Sequence, residues 1–261
     1  MSEPVVKVEI DGDIGSLVLA RAPARNAMSV EMGRQVTAAV ESLGSSSVRA
    51  VVVAGEGAVF SAGGDFDFLL ERLKSTPAEN HAAMRRFYDA FLSVRRLKVP
   101  TIAAVQGAAI GAGLCFAMGC DLRIAAEGTK LAVNFVKLGL HPGMGATWLL
   151  PRLVGPARAA ELLMTGRQID AAEALRIGLV NEVVPAGELL ARAKAVAREL
   201  ASAGPVAVAQ VKASLGKQVE GELEAALELE AAAQAVSYAT KDLAEGVAAA
   251  RERRAPKFTG A

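Results

Sequence analysis

Residues 99–120 read VPTIAAVQGAAIGAGLCFAMGC. No charged side chain occurs between Lys98 and Asp121. Such a run fits a membrane span, a nucleotide-binding loop, or a buried strand, turn and helix beside an active site. Pro100, Gln106 and four glycines (Gly107, Gly111, Gly113 and Gly119) make it a poor spanning helix. The better parse is a buried strand over Thr101–Val105, a glycine-rich turn over 106–113, and a helix through Cys120. A turn of this kind leaves backbone N–H groups free at a helix N-terminus, where negative charge is favoured.

The bulk numbers narrow the frame around that stretch. A chain of 261 residues has ample length for a real core. Apolar residues make up 52% and charged residues 22%, the balance of a globular protein. A net charge of +1 argues against a nucleic-acid stripe and against a polybasic membrane anchor. The two cysteines, Cys115 and Cys120, both lie inside the apolar run. They form neither a disulfide framework nor a zinc spacing, and no metal is expected. The first residues, MSEPVVKVEIDGDIG, carry early acidic groups and no apolar core of a leader. The expectation is a cytoplasmic protein without membrane insertion.

Before the stretch, residues 5–20 alternate around Asp11, Gly12 and Asp13, which predicts a hairpin. Ser29 is placed to cap a helix to about Leu43, and 50–54 is a short apolar strand. Helices are expected over 66–73 and 78–97. After the stretch come strands at 121–126 and 131–133, a loop over 139–145, Ala- and Leu-rich helices to Ile177, and a last strand at 179–184. From Ala186 onward the pattern is helical: 186–203, 205–217, 221–238 and 241–253. The acidic residues Glu220, Glu222, Glu224, Glu228 and Glu230 read as one solvated helix face. The result is an α/β core over 1–200 with a helical region over 201–261.

The glycines admit two readings. The spacing GxxxGxG at 107–113 fits a dinucleotide loop between strand and helix, and hence an NAD(P)-dependent oxidoreductase. Against it, the motif lies mid-chain, and no acidic residue follows about twenty positions on. A Tyr-xxx-Lys pair is also missing, since Tyr238 and Lys241 are one residue too close. The other reading joins FSAGGD (60–65) with 107–113. Two such turns can aim two backbone N–H groups at one oxygen, which is an oxyanion hole.

With that pair in place, the chain resembles the crotonase (enoyl-CoA hydratase/isomerase) superfamily nearly end to end. The resemblance is carried by RNAM (25–28), FSAGGD (60–65), PTIAAVQG (100–107), GAG (111–113), CDLRI (120–124) and LG (138–139) with PGMG (142–145). It continues through LVG (153–155), AAEAL (171–175) with GLV (178–180), and ATKD (239–242) with EG (245–246). The resemblance implies a spiral of ββα units and a C-terminal helical trimerisation region, with trimers or hexamers of identical chains. It implies an acyl-CoA ligand of fatty acid metabolism, stabilised as an enolate, and no cofactor beyond the coenzyme A of the substrate. Carried over, the N–H groups of Gly64 and Ala112 form the oxyanion hole. Ala62 meets the adenine with its carbonyl. Arg25, with Ala27 beside it, and Lys257 lie near CoA phosphates, Lys257 from a neighbouring subunit. Asp65 and Gly113 flank the donors, while Phe66, Ile110, Phe135 and Gly139 line the acyl channel.

One departure stands out. Hydratases of that family use two glutamates, and two carboxylates suit the addition of water and the movement of the α-proton. Here those positions hold Cys115 and Phe135. Phe transfers no proton, and a buried Cys is first of all a small hydrophobe. Two other groups are candidate proton carriers. Tyr88 lies on the helix where a dehalogenase branch of the family places a functional His. His141 lies beside the loop where some branches carry a catalytic Asp, and imidazole titrates in the useful range. Asp65 is better explained as a helix cap. The chain is therefore read as an enzyme on a CoA thioester, a lyase or isomerase with non-standard acid and base groups. The alternative is a non-catalytic acyl-CoA binder of the same fold.

Overall fold

The computed structural model describes residues 4–217 and 220–260. Two strands open the chain, β1 (Val6–Asp11) and β2 (Ile14–Leu19), paired antiparallel as the hairpin pattern predicts. Helix α1 (Val30–Gly44) starts where Ser29 accepts a hydrogen bond from the Met32 N–H. Then follow β3 (Ala50–Gly55), α2 (Phe66–Arg72), α3 (Pro77–Leu92), β4 (Thr101–Val105), β5 (Ala108–Ile110) and α4 (Ala112–Met118). The middle continues with β6 (Leu122–Ala126), β7 (Lys130–Ala132), α5 (Ala146–Val154), α6 (Pro156–Thr165), β8 (Ile169–Asp170), α7 (Ala171–Arg176) and β9 (Glu182–Val184). Four helices close the chain: α8 (Leu189–Ser202), α9 (Pro205–Lys217), α10 (Glu220–Tyr238) and α11 (Lys241–Glu252).

The strands sort into two sheets. The larger runs β1-β2-β3-β4-β6-β9, parallel from β2 onward, and the smaller runs β5-β7-β8. The chain alternates between them. A large-sheet strand (β4, β6) is followed at once by a small-sheet strand (β5, β7), and then by helix. Repetition of that step produces the spiral of ββα units. Parallel strands buried on both faces read as unbroken apolar runs, as 50–54 and 101–105 do. Alternation within the run divides the faces. Val51, Val53, Ala103 and Val105 enter the main core, whereas Val52, Ala54, Ile102 and Ala104 face α8. On α8 the buried residues are Leu189, Ala193, Ala197 and Ala201, a four-residue repeat whose small side chains let the helix settle closely on the sheet.

The 106–113 segment departs from its expected form. It is not one turn, because β5 occupies its middle and pairs in parallel with β7. Three residues are too few to announce a strand. Gly107 makes the reversal between sheets, with φ of +60° and with a Cβ position that would overlap the Ala58 carbonyl oxygen. This strand within the segment also removes the simple strand-loop-helix geometry that a dinucleotide loop requires.

Asn26 anchors the RNAM element. It is fully buried, and its amide nitrogen donates to the carbonyls of Glu56, Val59 and Phe60, while its oxygen accepts from the Arg21 N–H. One side chain thus ties two loops that border the same space. Asn26→Ala is expected to cost about 2 kcal/mol of stability by leaving buried carbonyls without a donor, measurable in a denaturant titration.

The helical patterns of the last third all form, with one correction. Glu222, Glu224 and Glu228 do lie outward, paired with Arg152, Arg85 and His81. Glu230 does not: it is only 1% exposed. The Glu220 side chain lies outside the described residues. Among the described residues no helix is long and apolar enough to cross a membrane.

Candidate active site

A cavity of about 590 Å³ lies among the 60–65 loop, the start of α4, the Phe135–Leu138 turn and the helices α2, α3, α10 and α11. The pairing of backbone around it is specific. Ser61 and Ala109 form an isolated parallel bridge, with the Ser61 N–H donating to Ala108 and the Ile110 N–H to Ser61. Beyond the bridge the two segments remain close, and both turn through a glycine of positive φ, Gly63 and Gly111. Gly63 keeps the approach close, since a Cβ there would lie 2.6 Å from the Ile110 oxygen and 3.7 Å from the Ala112 nitrogen.

Among the described residues neither the Gly64 nor the Ala112 N–H has a hydrogen-bond acceptor. In the parallel bridge between Met28 and Gly64, the Met28 N–H donates to Gly63 and the Met28 carbonyl accepts from Asp65. The Gly64 N–H therefore points away from that partner. Ala112 is the first residue of α4, and first-turn N–H groups have no acceptor inside a helix. Both residues line the cavity.

Around them the wall is largely apolar, with Phe66, Phe68, Phe87, Ile110, Phe135 and Met144. Arg21, Arg25, Ala27 and Ala62 complete the side nearer the 21–27 loop. Asp65 caps α2 by accepting from the Asp67 N–H, and it also meets the Arg21 guanidinium at 2.5 Å. Burial works to raise the Asp65 carboxyl, yet the hydrogen bonds from Arg21 and the Asp67 N–H outweigh it and hold the group below its ordinary value. Asp67 is paired with Arg251, whose guanidinium also lies over the Phe66 ring. Asp65 is held as a paired carboxylate that caps its helix.

Tyr88 stands on the cavity wall, buried, with its hydroxyl donating to the Gln234 side-chain oxygen at 2.8 Å. Burial, and after it the nearness of Glu230, raises the phenol well above its ordinary value, so it keeps its proton. Cys115 lies behind the wall, fully buried, with its sulfur 3.5 Å from the Gly143 carbonyl. Burial and Glu230 push that thiol up as well, so it holds its proton at neutral pH.

Other expected residues are placed elsewhere. The His141 ring turns onto the Pro142 carbonyl, 2.7 Å from Nδ1, and is not on the cavity wall. A proline-fixed turn favours that local contact over reach into the chamber. Gly113 packs against Ser61 and Gly139 against Asp242, both behind the wall. Lys257 lines a separate open cleft with Asp242, Glu245 and Arg254, where its backbone N–H donates to Glu245.

The C-terminal helices contribute groups that the sequence reading passed over. Gln234, Tyr238 and Arg251 all line the cavity. Glu230 accepts from the Gly145 and Thr147 N–H groups and from the Thr147 hydroxyl, at the start of α5. Burial is the main influence on this carboxyl and raises it above its ordinary value. A signal was available. Leu223, Leu227, Glu230, Gln234 and Tyr238 fall on one face at helical spacing, so the polar members share the buried stripe.

Residues 9–261 match the family model described as enoyl-CoA hydratase/isomerase. The chain belongs to the enoyl-CoA hydratase/isomerase family. Among curated family members, the probable enoyl-CoA hydratase echA8 of Mycobacterium tuberculosis is 37% identical over 260 residues, covering 99% of each chain. The crotonyl-CoA hydratase of Syntrophomonas wolfei is 36% identical over 253 residues, covering 96% of each. Among solved family structures, an enoyl-CoA hydratase from Mycobacterium avium subsp. paratuberculosis superposes with a TM-score of 0.85 at 32% identity over 98% of each chain. That from Bacillus halodurans gives 0.87 at 26% identity, covering 94% of this chain and 99% of the other.

Proposed function

We propose that this family member acts on an acyl-CoA thioester in the cytoplasm, with the Gly64 and Ala112 N–H groups stabilising an enolate oxygen. The observation that carries the reading is that Gly64 and Ala112, whose backbone N–H groups have no partner among the described residues, line one cavity. Two donors fixed by backbone cost no reorganisation as charge develops on the thioester oxygen. Arg25 serves the CoA phosphates, the Ala62 carbonyl serves the adenine, and the apolar chamber takes the acyl group. Coenzyme A enters with the substrate, and no further cofactor takes part. The working form is a trimer or a dimer of trimers, in which Lys257 reaches a neighbour's phosphate. The reaction is hydration or isomerisation, with protons moved by groups other than the family's usual glutamates. Cys115 and Phe135 stand in those places.

A second reading has its own support. Asp65, the wall carboxylate that caps α2, is held by Arg21. A protein that binds acyl-CoA without turning it over would look the same.

Incubation with 2-enoyl- and 3-enoyl-CoA thioesters of graded chain length in heavy water separates the two. Turnover, read as loss of enoyl-thioester absorbance or uptake of deuterium at the α-carbon, supports the enzyme. Tight thioester binding with neither change across the panel leaves the binder. Turnover that survives Tyr88→Phe and His141→Ala removes both residues as proton carriers. Affinity for NAD(P) with none for CoA would sink the thioester reading.

A further inference from the structure

Phe68 and Phe87 each border two cavities. One is the chamber of about 590 Å³ that Gly64 and Ala112 line. The other is a cleft of about 250 Å³ among α1, α2 and α3, lined by Val30, Gly33, Ala83 and Ala90 with Arg72 and Arg86. Among the described residues these two phenylalanines alone line both. The cleft reaches the surface, where Val30 is 64% exposed.

The two rings are stacked, with centroids 5.1 Å apart and planes inclined by 13°. Each is braced by a further neighbour. Phe87 meets Phe91, one turn on along α3, at 4.7 Å, and Phe91 is fully buried. The Arg72 guanidinium, one turn on along α2, lies 5.4 Å from the Phe68 centroid. Neither ring leaves its place without giving up a ring contact. The chamber and the cleft are therefore divided by a wall of two fixed rings. An acyl chain gains affinity with each methylene it buries, about fourfold per group, and gains nothing once it meets a wall that does not yield.

We propose that the stacked Phe68–Phe87 pair is the partition that sets the longest acyl chain the chamber accepts, and that its removal opens the chamber into the cleft beside α1. This rests on the thioester reading above. The pair governs chain length and takes no part in proton transfer.

Calorimetric titration of the full chain with saturated acyl-CoA thioesters from butyryl-CoA to dodecanoyl-CoA tests it. The ratio of long-chain to short-chain affinity within one protein is the readout, so a general loss of binding cancels. In the wild type, affinity is expected to climb about fourfold per methylene and then to stop climbing within the series. In Phe68→Ala the climb continues past that length, about 16-fold over the next two methylenes. Adding Val30→Trp, which fills the cleft from its far side, removes the extra climb, while Val30→Trp alone binds as the wild type does. Phe87→Leu carries the test if Phe68→Ala does not fold. A wild-type climb without a break, a break that stays in place when the ring is removed, or an extension that survives Val30→Trp overturns the proposal and leaves the thioester reading standing. A wild type that binds none of the series overturns both.

Discussion

Ala112→Pro is expected to lower kcat by about 100-fold to 1000-fold on whichever enoyl-CoA the chain turns over, with the fold intact. The substitution replaces the N–H hydrogen with the Cδ of the proline ring, which removes the donor. Ala112 is the first residue of α4, the one helical position where proline is well tolerated, because its N–H has no intrahelical acceptor. Gly111 before it, lacking a Cβ, already holds φ of 52° and ψ of −120° and escapes the usual restriction on residues preceding proline. The donor proposed for the enolate is thus lost at small structural cost. Steady-state kinetics beside thermal melting give the comparison. A melting midpoint within a few degrees of wild type, together with kcat within threefold, would remove Ala112 from the proposed mechanism.

The second large effect is on stability. Glu230→Ala leaves the Gly145 and Thr147 N–H groups and the Thr147 hydroxyl without their acceptor inside the protein. The expected loss is about 3 kcal/mol, a fall of roughly 6–12 °C in the melting midpoint for a chain of this size. The loop so loosened carries Met144, a wall residue of the cavity, so affinity for thioesters should fall too. The pH dependence has a definite sign. Burial raises the folded-state carboxyl above its unfolded value. Such a group favours the folded state most when protonated in both states, and it withdraws stability as pH climbs past the unfolded value of about 4.3. The stability gap between wild type and the non-titrating Glu230→Gln should therefore be widest near pH 4 and should narrow toward neutrality. A gap that widens on the way up would contradict a raised carboxyl.

Much of the fold is legible in sequence because the large-sheet strands are buried on both faces. Residues 50–54 and 101–105 need no tertiary knowledge to read, and the Ser29 and Asp65 caps announce their helices. The strand β5 was hidden because three residues, Ala108 to Ile110, show no period. At the site, the close approach of the 60–65 loop to Ile110 was legible through the glycines. The groups contributed by α10 were not, because Glu230 and Gln234 sit in a run so rich in Ala and Glu that charge masks the stripe beneath it. His141 is a different case. Its residue type suits catalysis, yet the neighbouring proline turns its ring onto a local carbonyl. Residue type nominates a group; only the path of the chain delivers it.

The wall formed by Gln234, Tyr238 and Arg251 has a consequence for how the molecule comes into being. These residues belong to the last 28 positions of the 261-residue chain. The cavity that Gly64 and Ala112 line is therefore closed on that side by helices that follow the core in the chain. Docking of α10 and α11 completes the container, and whatever occupies the chamber is held partly by these two helices. Ligand affinity and resistance of the C-terminal helices to proteases become two readings of one equilibrium.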